Sequence, residues 1–75
     1  MWTFDEKRLI ALRESRGLSQ TEFAYKLGLN TKQQINQWET GHGEYMPGTR
    51  SLLKIANAFD VAPAYFFTKT EDFKI

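Results

Sequence analysis

The sequence predicts an all-α fold of five short helices packed around one core. Helix-capping signals recur along the chain, and apolar residues follow them at helical spacing. No stretch shows the apolar–polar alternation of a strand. With 75 residues there is room for one domain. We expect a single domain over 1–75, with its core over about 3–67 and a C-terminal tail over 68–75.

The first predicted helix covers about 3–16. Thr3 can cap it, and Glu6 three residues later can close a capping box. Leu9 and Leu12 then lie on one apolar stripe. We therefore expect this helix to pack on the core through its leucines.

The second and third predicted helices lie end to end between Ser19 and Gly41. Ser19 with Glu22 forms a capping-box pattern before a helix over about 20–27. Thr31 opens a helix over about 32–40, again as an N-cap, with Gln34 as the reciprocal partner. In this third helix Ile35 and Trp38 share one face, and the opposite face is polar, with Lys32, Gln33, Asn36 and Gln37.

Two further helices follow a loop that contains His42 and ends at Pro47. A stripe at i, i+3, i+4 and i+7 predicts a helix over about 49–59, with Leu52, Ile55, Ala56 and Phe59 on its core face. Pro63 suits the first position of a fifth, short helix. That helix carries three adjacent aromatic residues, Tyr65, Phe66 and Phe67.

Composition narrows the classes of function. The formal net charge of +1 argues against indiscriminate, charge-driven binding to nucleic acid but leaves specific DNA binding open. The absence of cysteine predicts no disulfide or thiolate metal site and favours the cytoplasm. No apolar run is long enough for a membrane span, so we expect no membrane partner.

No constellation of residues predicts catalysis. The single histidine, His42, lies in a glycine-flanked loop, and scattered carboxylates such as Asp60 have no partner for acid–base chemistry. We expect no enzyme activity, no metal, no cofactor and no small-molecule ligand.

The polar face of the third helix favours a DNA-reading role. Glutamine and asparagine pair bidentately with adenine edges in the major groove, and lysine pairs with guanine. Most polar helix faces are simply solvated, so composition alone leaves both interpretations open.

Three blocks of residues resemble the helix-turn-helix proteins of the XRE family, which includes phage repressors and Cro proteins. The blocks are Arg13-x-x-x-Gly17-Leu18-Ser19-Gln20-x-x-Phe23-Ala24-x-x-x-Gly28, Ile35-x-x-Trp38-Glu39-x-Gly41, and Pro47-x-x-x-x-Leu52-x-x-Ile55-Ala56-x-Ala58-Phe59-x-Val61. The resemblance covers roughly residues 5–67 and implies a lambda-repressor-like domain with helices 2 and 3 as the helix-turn-helix.

The resemblance also implies roles for individual residues. Lys32, Gln33 and Gln37 match base-reading positions, with Gln34 and Asn36 beside them on the same helix. The residues expected to position the DNA backbone are Gln20, Thr31, Thr40 and Arg50.

Two structural roles follow from the same resemblance. Arg13 and Glu39 match a largely buried ion pair that ties the first helix to the third. Tyr65, Phe66 and Phe67 are expected in the core or at a dimer interface, since three adjacent aromatics cannot all face inward on one short helix.

Two spacings depart from the family pattern. The turn from Gly28 to Thr31 carries one extra residue, and the loop from Gly41 to Pro47 carries about two, including the acidic Glu44. For this reason we locate the start of the third helix by counting back from Ile35 and Trp38, and not forward from Gly28.

The expected function is sequence-specific binding of double-stranded DNA by a homodimeric transcriptional regulator. A phage-type repressor, a restriction–modification controller and a toxin-neutralising antitoxin are all compatible with it, and the expected DNA partner is an inverted-repeat operator. The alternative is a protein-interaction module or antitoxin-like protein that retains the helix-turn-helix fold.

Overall fold

The computed structural model describes residues 1–41 and 44–69 of the chain. In these ranges four α-helices, a 3-10 helix and a pair of short antiparallel strands surround one core. The strands are β1 (Trp2–Phe4) and β2 (Phe67–Lys69), and the 3-10 helix is Pro63–Phe66. The α-helices are α1 (Glu6–Ser15), α2 (Gln20–Lys26), α3 (Gln33–Thr40) and α4 (Thr49–Phe59).

The capping box predicted for α2 is confirmed. The backbone N–H of Glu22 donates to Ser19 Oγ at 3.0 Å, and the backbone N–H of Ser19 donates to Glu22 Oε1 at 2.8 Å. These two bonds satisfy donors that a helix start leaves without intrahelical partners. They fix where α2 begins.

The start predicted for α1 is wrong by three residues. The helix begins at Glu6, and Asp5 caps it by accepting a 3.0 Å hydrogen bond from the backbone N–H of Lys7. Thr3, the expected cap, lies in β1 opposite Thr68 of β2. The backbone of residues 2–4 is extended because it pairs with a strand more than sixty residues away.

The predicted helical fold is confirmed, and the small sheet is an addition to it that the sequence did not indicate. Trp2 pairs with Lys69 and Phe4 with Phe67, so residues 68 and 69 belong to the folded domain. Phe4 is buried and its ring lies 6.1 Å from that of Phe67, edge to face, whereas Trp2 is exposed. The sheet thus joins the two ends of the described chain beside the core.

The helix α3 begins one residue later than predicted. Lys32 occupies the N-cap position and makes no side-chain capping bond. Thr31, the predicted cap, accepts a long bond of 3.4 Å from the backbone N–H of Gln33. The additional residue in the turn between α2 and α3 is thus accommodated before the helix.

The prediction for α4 is confirmed in its bounds and in its face. Its stripe residues, Leu52, Ile55, Ala56 and Phe59, are all buried. The Phe59 ring stacks on Phe23 of α2 with centroids 4.8 Å apart and an interplanar angle of 13°. This stacked pair joins α4 to the helix-turn-helix.

The predicted fifth helix is a 3-10 helix of four residues, beginning at Pro63. Its Phe66 is fully buried, in the same core as Leu9, Ile35 and Ile55. Trp38 is also buried, so its ring is a core element of α3. No helix within the described ranges is long and apolar enough to cross a membrane.

Candidate nucleic-acid interface

The helix α3 divides into a buried face and an exposed polar face. Ile35 is fully buried and Trp38 nearly so, at 0% and 4% exposure. The side chains on the other face are exposed and can all form hydrogen bonds: Gln33, Gln34, Asn36 and Gln37. The buried face holds α3 on the core and leaves the four amides in solvent.

A depression of about 210 Å³ lies at the N-terminal end of α3. Its lining is dominated by polar side chains, namely Asn30, Thr31, Gln33, Gln34 and Gln37, with Leu29 as the apolar member. Lys32, the sequence-predicted cation of this face, is exposed at the position just before the helix. The structure therefore brings Gln33 and Gln37, two of the predicted base-reading residues, to one surface.

The back of α3 is fixed to α1 by an ion pair. Arg13 Nε donates to Glu39 Oε2 at 2.7 Å, and Arg13 Nη2 donates to Glu39 Oε1 at 3.2 Å. The Glu39 side chain is only 3% exposed and that of Arg13 14%. Arg13 Nη1 also donates to the backbone carbonyl of Leu18 at 2.8 Å, which ties the turn before α2 to the pair.

The hydrogen bond with Glu39 raises the pKa of Arg13, and the nearby negative charges of Glu39 and Glu14 raise it further. Burial acts in the opposite direction but is outweighed. The ion pair with Glu39 therefore favours the charged form of Arg13.

Gln20 connects this ion pair to the exposed face of α3. Its Nε2 donates to Glu39 Oε1 at 2.9 Å, and its Oε1 accepts from Asn36 Nδ2 at 3.4 Å. The chain of contacts runs from Arg13 through Glu39 and Gln20 to Asn36. Sequence reasoning missed the two contacts of Gln20, because they join residues sixteen and nineteen positions apart whose distance depends on the angle between α2 and α3.

The two threonines of the predicted interface differ in what they can offer DNA. The hydroxyl of Thr40 donates to the backbone carbonyl of Asn36 at 2.7 Å, one helical turn back. The hydroxyl of Thr31 accepts from Gln33 N, so its own proton is available. Thr31 is thus the better placed of the two to donate to a phosphate.

Arg50 lies exposed in the first turn of α4, which Gly48 precedes as the N-cap. The guanidinium is therefore accessible at the position where the sequence predicts a contact with the DNA backbone. Glu44, in the loop between α3 and α4, is exposed as well. His42 and Gly43 in the same loop lie outside the described residues.

The predicted dimer residues separate into core and surface. Phe66 is 0% exposed and lies in the core, which is one of the two positions expected for these aromatics. Tyr65 and Phe67 are partly exposed. The Arg8 guanidinium lies 5.4 Å from the centre of the Tyr65 ring and also donates to the Tyr65 carbonyl at 3.1 Å. These contacts fix Tyr65 against α1.

Within the residues that the structure describes, no group of three or more His, Cys, Asp or Glu side chains is arranged to hold a metal ion. Of the ionisable residues on α3 and at its start, Glu39 is paired with Arg13 and Lys32 is exposed. The chemistry of the surface is accordingly that of hydrogen bonding by amides.

Comparison with protein-family models gives one match that covers most of the chain. The helix-turn-helix family model matches residues 9–66, a span that begins within α1 and ends with the 3-10 helix. No curated protein and no solved structure matches the chain significantly.

Proposed function

The chain belongs to the XRE family of helix-turn-helix DNA-binding proteins, and from this premise we propose that it is a sequence-specific transcriptional regulator. It binds double-stranded DNA as a homodimer, with α3 in the major groove. A phage-type repressor and a restriction–modification controller are the two regulator types that fit its small size.

The observation that carries this proposal is the composition of the exposed face of α3. Four neutral amides of α3 are exposed while Ile35 and Trp38 are buried, and the exposed Lys32 immediately precedes the helix. Amides pair with base edges through both a donor and an acceptor, which suits base reading rather than charge neutralisation alone. The near-neutral net charge of +1 is consistent with a protein that relies on such contacts to distinguish one DNA sequence from another.

In this proposal Lys32, Gln33 and Gln37 read bases. Gln34 and Asn36 lie beside them. The backbone is positioned by residues around the edge of this face: Gln20, Thr31, Thr40 and Arg50. Gln20 keeps one N–H for a phosphate beyond the one it donates to Glu39. Thr40 must first release the carbonyl of Asn36 to donate to DNA.

A dimer would double the contact area and read two half-sites of an inverted repeat. Helix-turn-helix dimers contact half-sites about one helical turn apart, about 34–36 Å. The partly exposed Tyr65 and Phe67 are the proposed interface residues. Both side chains pack against the core and remain partly exposed.

A protein-interaction module is the competing candidate. The exposed Glu44 lies in the loop after α3, where a phosphate backbone would repel it, and the net charge is low. Such a module would retain the fold and use its exposed apolar side chains, for example Tyr25, to bind another protein. In neither candidate does the chain act as an enzyme.

The experiment that separates the candidates is a titration of the full chain with random-sequence duplex DNA at increasing salt. A DNA-binding dimer that neutralises several phosphates loses affinity steeply, by about 10³–10⁵ between 50 and 200 mM salt for 6–10 contacts. Failure to bind duplex DNA at the lowest salt, by a protein that is folded and helical, would favour the interaction module. Sedimentation equilibrium of the same samples tests the dimer.

A further inference from the structure

The hydrogen-bond chain behind Asn36 has a fixed polarity. It starts at the Glu39 carboxylate, which is paired with Arg13 and buried. An ionised carboxylate accepts hydrogen bonds and cannot donate them. Whatever group contacts Glu39 must therefore present an N–H to it.

Gln20 meets that requirement in only one orientation. Its Nε2 lies 2.9 Å from Glu39 Oε1, so the amide nitrogen faces the carboxylate and the amide oxygen faces away. Turning the amide by half a revolution would place two oxygens together at hydrogen-bonding distance. The carboxylate thus sets the direction of the glutamine amide.

Asn36 is the next residue in the hydrogen-bond chain, and the orientation of the Gln20 amide fixes the orientation of its own amide. Its Nδ2 lies 3.4 Å from Gln20 Oε1, which accepts from it. One N–H of Asn36 is used in this way, and its Oδ1 and the other N–H remain for a partner in solvent. An unrestrained asparagine on a helix surface would present either end of its amide equally well.

We propose that Asn36 is a specificity-determining residue of the DNA interface and that Gln20 is the positioning residue that sets its polarity. This inference rests on the proposed function. With its oxygen directed outward, Asn36 selects a base that carries an amino group in the major groove, adenine first and cytosine second. Guanine and thymine present a carbonyl oxygen where adenine and cytosine carry the amino group. That oxygen would face the Asn36 oxygen, and neither atom can donate a hydrogen bond.

Adenine is the best match because it offers an amino donor and the N7 acceptor side by side, while Asn36 retains one acceptor and one donor. A bidentate contact with the O6 and N7 acceptors of guanine requires two donors, and one N–H of Asn36 is already donated to Gln20. The contact is therefore expected to discriminate, at one position of each half-site, between the two orientations of an A·T pair.

The test uses parallel selections from one pool of random duplex DNA with the wild-type chain and three variants. Asn36→Ala removes the reading group. Gln20→Met removes the positioning amide and keeps the length of the side chain. Asn57→Ala removes an exposed amide from α4, outside the interface, and serves as the matched control. Circular dichroism shows that each variant is folded before selection.

The wild-type chain is expected to enrich adenine or cytosine over guanine or thymine by about tenfold or more at one position. Asn36→Ala should lose the preference at that position alone. Gln20→Met should lose most of it at the same position, because Asn36 can then turn its amide either way. Asn57→Ala should reproduce the wild-type profile.

Two outcomes would overturn the inference while leaving the proposed function intact. One is a wild-type profile that Asn36→Ala does not alter at any position. The other is a Gln20→Met profile in which the Asn36-dependent preference is unchanged, which would leave Gln20 with only the phosphate contact of the proposed function. No enrichment of any sequence by the folded wild-type chain would instead contradict the proposed function itself.

Discussion

Arg13 on α1 and Glu39 on α3 form two hydrogen bonds, of 2.7 and 3.2 Å, from one guanidinium to the two oxygens of one carboxylate. The pair lies directly behind the exposed face of α3, and Gln20 adds a third contact to the same carboxylate. The orientation of the candidate reading helix is therefore determined by a buried charge pair as well as by apolar packing.

Removing one partner of this pair should destabilise the fold. In Glu39→Ala the Arg13 charge stays largely buried without its partner, and we expect the free energy of unfolding to fall by about 3–5 kcal/mol. Urea denaturation followed by circular dichroism measures the loss.

Glu14→Ala is the matched control for that variant. Glu14 also lies near Arg13, at 4.0 Å, but its side chain is 67% exposed. We expect a change of less than about 1 kcal/mol. Equal unfolding midpoints for the two variants would contradict the structural role assigned to Glu39.

Gln33→Ala and Gln37→Ala should affect recognition without affecting folding. Both side chains are exposed on α3. Each substitution should cost about 1–3 kcal/mol of binding free energy on the preferred site and relax the preference at one base position. Competition binding with single-base variants of the site measures both quantities, with Asn57→Ala as the control. An equal loss on every sequence would assign these glutamines to the DNA backbone.

Arg50→Ala should weaken binding to all sequences by a similar factor. An exposed arginine that contacts a phosphate contributes charge and no base preference. Because a homodimer carries two copies of Arg50, we expect the slope of log K against log salt to fall in magnitude by about 2, or about 1 for each protomer. Lys7→Ala removes one positive charge from α1, outside the interface, and should leave the slope unchanged. If the slope of log K against log salt is the same for Arg50→Ala as for Lys7→Ala, Arg50 does not contact the DNA.

Gly41→Ala should destabilise the end of α3. A Cβ at this position would lie 2.7 Å from the backbone oxygen of Gln37 and 2.9 Å from Cδ2 of Tyr45, closer than packing allows. We expect a loss of about 1–3 kcal/mol, measured by thermal unfolding.

Gly48→Ala provides the comparison for this prediction. A Cβ at Gly48 has no atom within 4 Å, and only the N-cap preference of α4 opposes the change. The expected loss is under about 1 kcal/mol. A Gly41→Ala protein at least as stable as Gly48→Ala would show that the loop after α3 can move away.

Local signals predicted the helices well. The Ser19–Glu22 capping box and the buried stripe of α4 depend on residues three to seven positions apart, and the structure has both as expected. The strands β1 and β2 were missed because each has only three residues, too few for an alternation to be recognised. Their pairing depends on contacts between the two ends of the chain.

Sequence reasoning located the members of the hydrogen-bond network on their helices but did not predict the contacts between them. The motif pattern placed Gln20, Glu39 and Asn36 correctly on α2 and α3. The Gln20 side chain contacts both Glu39 and Asn36 because of the angle at which α2 and α3 cross. Local sequence spacing does not encode that angle. Similarly, periodicity cannot say which of three adjacent aromatics faces inward, and the 3-10 helix buries Phe66.

The most direct test of the central claim is selection of tight binders from a pool of random duplex DNA by the wild-type chain, followed by sequencing. We expect an inverted repeat with half-sites about one helical turn apart, which would demonstrate base reading and a two-fold symmetric dimer together. Recovery of no common sequence, by a protein that is folded and helical, would contradict the assignment of α3 as a reading helix.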